Sequence, residues 1–324
     1  MSASKLRWLV DLDPMPSIDL VRRADVLAAW SFSHQERARH FTVDLTPLEP
    51  ASLVFKSLGR VRGGELNAAA FACDDELLLG ELKLSEVDQN GIKRTAAEAY
   101  RRMLELLPSS GYPYVLRIWT FFSGINEGSA DNERYKLFCT GRARGVAKLW
   151  DSNEPAATVI GRPHASRWFH VLWVASKTSG QAIDNPRQTR PREYGREYGP
   201  EPPRFSRGTL WQSKRGAVLF VSGTAAVVGD ASLHIGDLAA QFAETERNLY
   251  TLLAEAATRV NRPARFDDGS VFIAYVRDET AQFRVQRMLK AAFPNSQIMV
   301  VAGEVCRREL LVEIEVIHHF DPPR

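Results

Sequence analysis

One order of secondary-structure elements occurs twice along this chain. In the first half, an apolar run (Leu77 to Leu84) precedes an amphipathic segment, Lys93 to Leu107. Its Ala96, Ala99, Tyr100, Met103 and Leu107 recur at intervals of three and four. A strand pattern (Tyr114–Phe122), a helical pattern (Asp131–Val146) and two more strand patterns (Ala156–Gly161, Phe169–Ser176) follow. The second half gives a strand (Val218–Ala225) and a helix (Leu238–Ala256) with Leu238, Phe242, Thr245, Leu249, Leu252 and Ala256 on one face. A strand (Val271–Val276), a helix (Ala281–Phe293) and strands Gln297–Ala302 and Leu310–His318 complete the copy. The outer strands of the two copies are separated by nearly the same number of residues, although residue identity between the halves is low. The shared order predicts an α+β fold of two tandem units, each a mixed β-sheet with two helices on one face. The other face of each sheet then needs cover, and the two sheets are expected to associate across it.

The stretch Ser179 to Gly208 is dense in Pro, Arg and Gly and has no period, which predicts a long loop. The expected division is an N-terminal unit with an extension over 1–178, a connecting loop over 179–209 and a C-terminal unit over 210–324. Within the first 60 residues, only a helix-like run from Asp19 to Trp30 stands out.

Composition excludes several classes. The 42 basic and 39 acidic residues are interspersed and form no clustered stripe outside Arg187 to Arg207, so nucleic acid is not an expected partner. The apolar runs are strand-sized, too short to cross a membrane. Met1 to Leu12 lacks the pattern of a secretion signal. Three cysteines, Cys73, Cys139 and Cys306, are widely spaced with no CxxC, which predicts reduced thiols and a cytoplasmic protein. The seven histidines form no HxH or HExxH pattern, no GxGxxG opens a helix, and GxxxxGK[ST] and GxSxG are absent. Neither metal nor cofactor is therefore expected, and acid–base chemistry on a small anion is the surviving enzymatic option.

The last strand pattern is where such chemistry can be placed. Side chains alternate along a strand, so Val312, Ile314 and Val316 face one way and Glu313 and Glu315 the other. If that second face lines the contact between the halves, burial and mutual repulsion raise the carboxyl pKa values and make one a general acid. Alternation is equally satisfied by two carboxylates facing water on an open sheet. On the helix from Asp131, Tyr135, Phe138, Cys139 and Arg142 share a face; the arginine suits a carboxylate ligand, or simply lies at the boundary of an amphipathic helix. The loop residues Arg187, Tyr194, Arg196, Tyr198 and Arg207 suit a polyanion or solvent alike. Ser222, Gly223 and Thr224 follow a strand, where small residues with free amides could border a ligand.

Six segments resemble the chorismatase family in order and content. They are Leu116 to Gly145 (LRIWTFFSGINEGSADNERYKLFCTGRARG), Pro155 to Arg162 (PAATVIGR), Asn185 to Gln188 (NPRQ), Tyr198 to Gly208 (YGPEPPRFSRG), Val221 to Ala225 (VSGTA) and Cys306 to Glu315 (CRRELLVEIE). The resemblance runs from about Gly80 to the C-terminus and implies YjgF-like units, similar to the reactive-intermediate deaminases, with a pocket between them. It implies an enzyme that protonates the enolpyruvyl ether of chorismate and releases pyruvate, with Glu313 as catalytic acid. Tyr135 and Arg142 occupy substrate-facing positions, as do Tyr194 and Arg207, though RPREYGREYG departs from the usual pattern around Tyr194. Gly223 and Thr224 join them as pocket residues. A cysteine seven residues before the catalytic glutamate accompanies the hydroxybenzoate-forming branch, and Cys306 stands there. The implied product is 3-hydroxybenzoate, with 4-hydroxybenzoate formed beside it by some relatives. Hydrolysis to 3,4-dihydroxycyclohexa-1,5-diene carboxylate is the alternative; an imine deaminase or a small-molecule-binding protein of the same fold is another. The expected partner is chorismate alone, and the protein is expected to be a monomer or a homotrimer.

Overall fold

The computed structural model describes residues 9–14, 17–31, 40–57, 59–87, 91–146, 153–162, 166 and 168–320. Residues 1–8 of the N-terminal run, His34 and His164 lie outside the described residues.

The first unit forms a six-stranded sheet. The meander β5 (Arg62–Leu66), β6 (Ala69–Cys73) and β7 (Leu77–Ser85) is followed by α2 (Ile92–Ser110), β8 (Tyr114–Ser123), α3 (Arg134–Val146), β9 (Ala156–Arg162) and β10 (Trp168–Ser176). Its strand order is β5-β6-β7-β10-β8-β9, with only β8 and β9 parallel. In the second unit, β11 (Gln181–Ile183), β12 (Gly208–Ser213) and β13 (Gly216–Thr224) are followed, beyond the short hairpin β14 (Val227–Val228) and β15 (Ala231–Ser232), by α4 (Leu238–Val260), β16 (Ser270–Val276), α5 (Gln282–Ala292), β17 (Gln297–Ala302) and β18 (Val312–His319). Its order is β11-β12-β13-β18-β16-β17, again with one parallel pair, β16 and β17. The duplication read from element order is therefore present strand for strand. The segment 179–209 is not structureless, since it contains β11 and two turns of 3-10 helix, Pro191–Glu193 and Arg196–Tyr198.

The N-terminal segment holds a third sheet. Where the sequence suggested a helix from Asp19 to Trp30, there is one turn, α1 (Ser17–Leu20), and then β2 (Val26–Ser31). Every residue of β2 is buried, so its apolar run lacks the two-residue period that would mark a strand. With β1 (Val10–Asp13), β3 (His40–Thr42) and β4 (Ser52–Lys56) it forms the order β1-β4-β2-β3, with β2 and β3 parallel. That is the order of β7-β10-β8-β9 and of β13-β18-β16-β17: a third copy of the four-strand topology, with the single turn α1 between its first two strands where the other units carry α2 and α4.

Each long-helix pair covers one face of its sheet. In the first unit, Ala96, Ala99, Tyr100, Met103 and Leu107 of α2 pack with Ile118, Phe122 and Val171. A Cβ at Gly141 or Gly145 would collide with the carbonyls of Lys93 or Ala97, so these two glycines of α3 let it lie directly against α2. In the second unit, Leu249, Leu252 and Ala256 pack with Val312, Ile314 and Val316. The opposite faces of all three sheets share one core, which includes Trp30, Phe55, Leu79, Trp119, Phe220 and Ile273. The threefold arrangement thus buries every inner face within one chain.

At the junction of the two large units this core turns polar. Arg117 of β8 donates to Glu315 of β18 at 2.6 Å, and both are buried. Glu315 also accepts from Trp119 Nε1 (2.7 Å), Thr158 Oγ1 (2.5 Å) and Tyr275 Oη (3.3 Å). Removing one member of a buried, hydrogen-bonded pair leaves the other uncompensated. Arg117→Met is expected to lower the unfolding free energy by about 3–5 kcal/mol, measured by urea denaturation. Combining it with Glu315→Gln should recover part of the loss, and an unchanged midpoint in the single variant would show that the pair does not hold the units together.

Candidate active site

A cleft of about 250 Å³ lies between the two large units. From the first unit, α3 supplies Tyr135 and Lys136. From the second come Gly223 on β13, Glu313 on β18, and Cys306, Arg307 and Arg308 on the loop between β17 and β18. The long segment between β11 and β12 closes it with Gln188, Tyr194, Tyr198, Phe205 and Arg207.

β18 alternates as expected: Val312, Ile314 and Val316 point under the helices, and Glu313 and Glu315 toward the junction. The two carboxylates differ in environment. Glu315 is bound on all sides behind the cleft. Glu313 is buried at the cleft, and among the described residues no donor is hydrogen-bonded to it. Burial, reinforced by the negative charge of Glu315, pushes its pKa up to about 8 against the opposing pull of Arg117, Arg207 and Arg277. At neutral pH this carboxyl holds a proton and lines the cleft.

A β-bulge shapes the surface beside it. The pairing of β13 with β18 passes from Val221–Val316 to Thr224–Ile314, so one extra residue is accommodated at Ser222–Gly223. Ser222 Oγ accepts from the Ala157 amide (2.8 Å), and the Gly223 amide donates to Thr158 Oγ1 (2.9 Å), locking the bulge to β9 of the other unit. The Gly223 amide is therefore occupied by Thr158, contrary to the free donor expected from the sequence. A Cβ on Gly223 would collide with the Glu313 carboxyl, so the absence of a side chain makes room for the acid. The bulge turns Thr224 off the cleft wall, and its hydroxyl donates to the Ser222 carbonyl (2.8 Å).

Cys306 and Tyr135 stand on the wall with Glu313. Burial pushes the Cys306 thiol up to about 12, with Glu313 adding to the effect, and holds the Tyr135 phenol well above its usual range. Both stay protonated. Arg207 Nη2 donates to Tyr194 Oη (2.6 Å) and to the Thr189 carbonyl (2.9 Å). Its buried Nε has no partner, and Tyr194, accepting from Arg207, keeps its own proton to donate. Arg142 does not reach the wall. It is buried behind it over the Tyr100 ring (5.0 Å), with Nε and Nη2 unpaired, and its charge acts on Tyr135 and Cys139.

Sequence reasoning missed Arg307, which stacks on Tyr194 and Tyr198 (5.3 and 4.2 Å), and Gln188, whose Nε2 donates to the Val227 carbonyl and whose buried Oε1 is unpaired. Both stood in segments that carry the family resemblance, Gln188 in NPRQ and Arg307 in CRRELLVEIE, but neither was singled out. Among the described residues, no group of three or more His, Cys, Asp and Glu side chains could hold a metal, and no helix is long and apolar enough to cross a membrane.

Comparison with known proteins gives the family of the chain. Residues 54–175 match the family model described as chorismatase FkbO/Hyg5-like, N-terminal. A 3-hydroxybenzoate synthase of Streptomyces hygroscopicus is 32% identical over 82% of this chain and 81% of its own. The chain belongs to the chorismatase family. A chorismatase of Streptomyces rapamycinicus is likewise 32% identical, over 79% of each chain. A solved chorismatase structure superposes with a TM-score of 0.83 at 26% identity, covering 95% of this chain and 97% of that one.

The raised pKa of Glu313 makes stability depend on pH in a defined direction. Unfolded, the carboxyl loses its proton near its ordinary 4.5; folded, it keeps it to about 8. Its effect is absent below the lower value, weakens the fold as pH rises between the two, and then levels off. Glu313→Gln should therefore match the wild type in Tm at pH 4 and exceed it at pH 8. Parallel Tm curves across that window would mean that Glu313 titrates normally.

Proposed function

We propose that the protein cleaves chorismate, with Glu313 protonating the terminal methylene carbon of the enolpyruvyl ether. The observation that carries this reading is a buried carboxyl, protonated at neutral pH and with no donor bonded to it among the described residues, at the wall of a cleft that Arg207 lines with an unpaired Nε. Chorismate carries two carboxylates. Arg207 and Tyr194 suit one, and Arg307, stacked on Tyr194 and Tyr198, suits the other; Arg142 supports the site from behind. Protonation at carbon gives an oxocarbenium ion, beside which the Glu313 carboxylate has just formed and supplies the compensating charge.

Two outcomes conserve atoms from that point. Water adds to the cation, and collapse gives pyruvate and the dihydroxy-diene acid. Alternatively the ring expels the side chain with help from its neighbouring hydroxyl and aromatises to hydroxybenzoate and pyruvate, with no water consumed. In the first case the proton from water restores Glu313; in the second, the proton lost from the ring does. Cys306 favours 3-hydroxybenzoate: its neutral, weakly polar thiol beside Glu313 offers attacking water little hydrogen bonding. The name of the Streptomyces hygroscopicus relative supports the same product.

Incubation with chorismate, without added metal or nucleotide, should yield pyruvate and 3-hydroxybenzoate by chromatography and mass. Glu313→Gln should reduce turnover by at least about a hundredfold while remaining folded. Because the acid form reacts, kcat/KM should be level below pH 7 and fall about tenfold per unit above 8. Retained activity in Glu313→Gln, or a rate rising with pH, would rule out this role.

The shared inner core also supports a monomer, because the N-terminal sheet fills the third position that another subunit would otherwise take. Light scattering should give the mass of one chain, 36.3 kDa; a trimer mass would refute this.

A further inference from the structure

The loop between β17 and β18 brings Cys306 to the cleft, and side chains of both units hold its backbone: Gln241 of α4 bonds Glu309 and Leu311, while Arg277 and Asn126 hold the stretch around Cys306. Arg277, one residue beyond β16, donates Nε to the Leu310 carbonyl (2.9 Å) and Nη2 to those of Val305 (2.6 Å) and Arg307 (2.9 Å). The carbonyl of Cys306 itself is taken by the other unit, where Asn126 Nδ2 donates to it at 2.9 Å. Asn126 is oriented in turn, because Arg277 Nη1 donates to its Oδ1 at 3.0 Å. A guanidinium on one side and a carbonyl on the other permit only one orientation of this amide. The contact is reciprocated: Arg308 Nη2 donates to the carbonyls of Asn126 and Gly128.

We infer that Asn126 is a positioning residue that fixes Cys306 beside Glu313 and thereby sets the partition between aromatisation and hydrolysis. This rests on the chorismate-cleaving reading above. Asn126 does not line the cleft, so any effect it has on the products passes through the loop. Because its partner is a backbone carbonyl, substitution at Cys306 leaves this bond intact, while loss of the bond leaves the thiol present but unanchored. The catalytic acid lies on a different element, β18, so release of the loop should alter the fate of the cation more than its formation.

Two substitutions separate the bonds. Asn126→Ala removes both, whereas Asn126→Asp keeps an acceptor for Arg277 but cannot donate to Cys306. In both, iodoacetamide labelling of Cys306 in the ligand-free protein, followed by mass spectrometry with buried Cys139 as reference, should quicken about fivefold, the effect of one lost hydrogen bond on opening. The product ratio should shift toward the dihydroxy-diene acid, in the direction of Cys306→Ala, while kcat for pyruvate stays within about threefold. Unchanged labelling would overturn the positioning role, and faster labelling with an unaltered product ratio would overturn the control of partition. If wild-type protein leaves chorismate intact, the functional reading and the partition claim fall together, while labelling still decides whether Asn126 anchors Cys306.

Discussion

The buried pair of Arg117 and Glu315 governs what the rest of the site can be. It joins the two large units at the point where their shared apolar core would otherwise continue, and it holds a carboxylate two residues from Glu313 on the same face of β18. That carboxylate is surrounded by donors from Arg117, Trp119, Thr158 and Tyr275. Its charge adds to desolvation in raising the pKa of the neighbouring acid. Thr158 ties the pair to catalysis, since the hydroxyl that donates to Glu315 also accepts the amide of the Gly223 bulge. Junction and bulge form one hydrogen-bonded unit, and the bulge leaves room for the acid.

Three sheets of the same topology surround the inner core, yet the acid is found at one junction. The inner face of the first unit also bears a glutamate, Glu81 on β7, but His170 lies 2.6 Å from it and Lys83 3.1 Å. A carboxylate with a cation that close is engaged, in contrast to Glu313. The N-terminal sheet retains the strand order, and among the described residues its helical element is the single turn α1. A chain that folds three copies together can let two of them serve as cover, provided their polar groups pair among themselves.

The two helical copies were legible in the sequence because the relevant faces are periodic: α2 and α4 show intervals of three and four, and β18 alternates cleanly. The third copy was not. β2 is buried on both faces, and among the described residues the segment before it forms only the single turn α1. Glu313 could be placed on a face by alternation, but its difference from Glu315 depends on Arg117 and Thr158, which are remote in sequence. Gly223 and Thr224 looked equivalent and are separated by a bulge that only the register with β18 reveals. Arg142 shares its helical face with Tyr135, but two turns further along that face meets Tyr100 instead of the cleft. Asn126 and Arg277 act through backbone carbonyls, for which no residue type gives a signal.

A site for a dianion needs cations, and cations oppose a protonated acid. Here the charges near Glu313 are largely committed elsewhere. Arg117 is matched by Glu315, Arg277 is held by loop carbonyls, and Arg207 gives one nitrogen to Tyr194 and Thr189. What remains of the Arg207 charge pulls the acid down only while the cleft is empty. A carboxylate bound there would neutralise it, remove one of the forces opposing the Glu315 charge and exclude water as well. Occupation of the cleft should therefore hold the proton on Glu313 more firmly than in the free protein. An acid of this kind is best protected from ionisation when its substrate is in place.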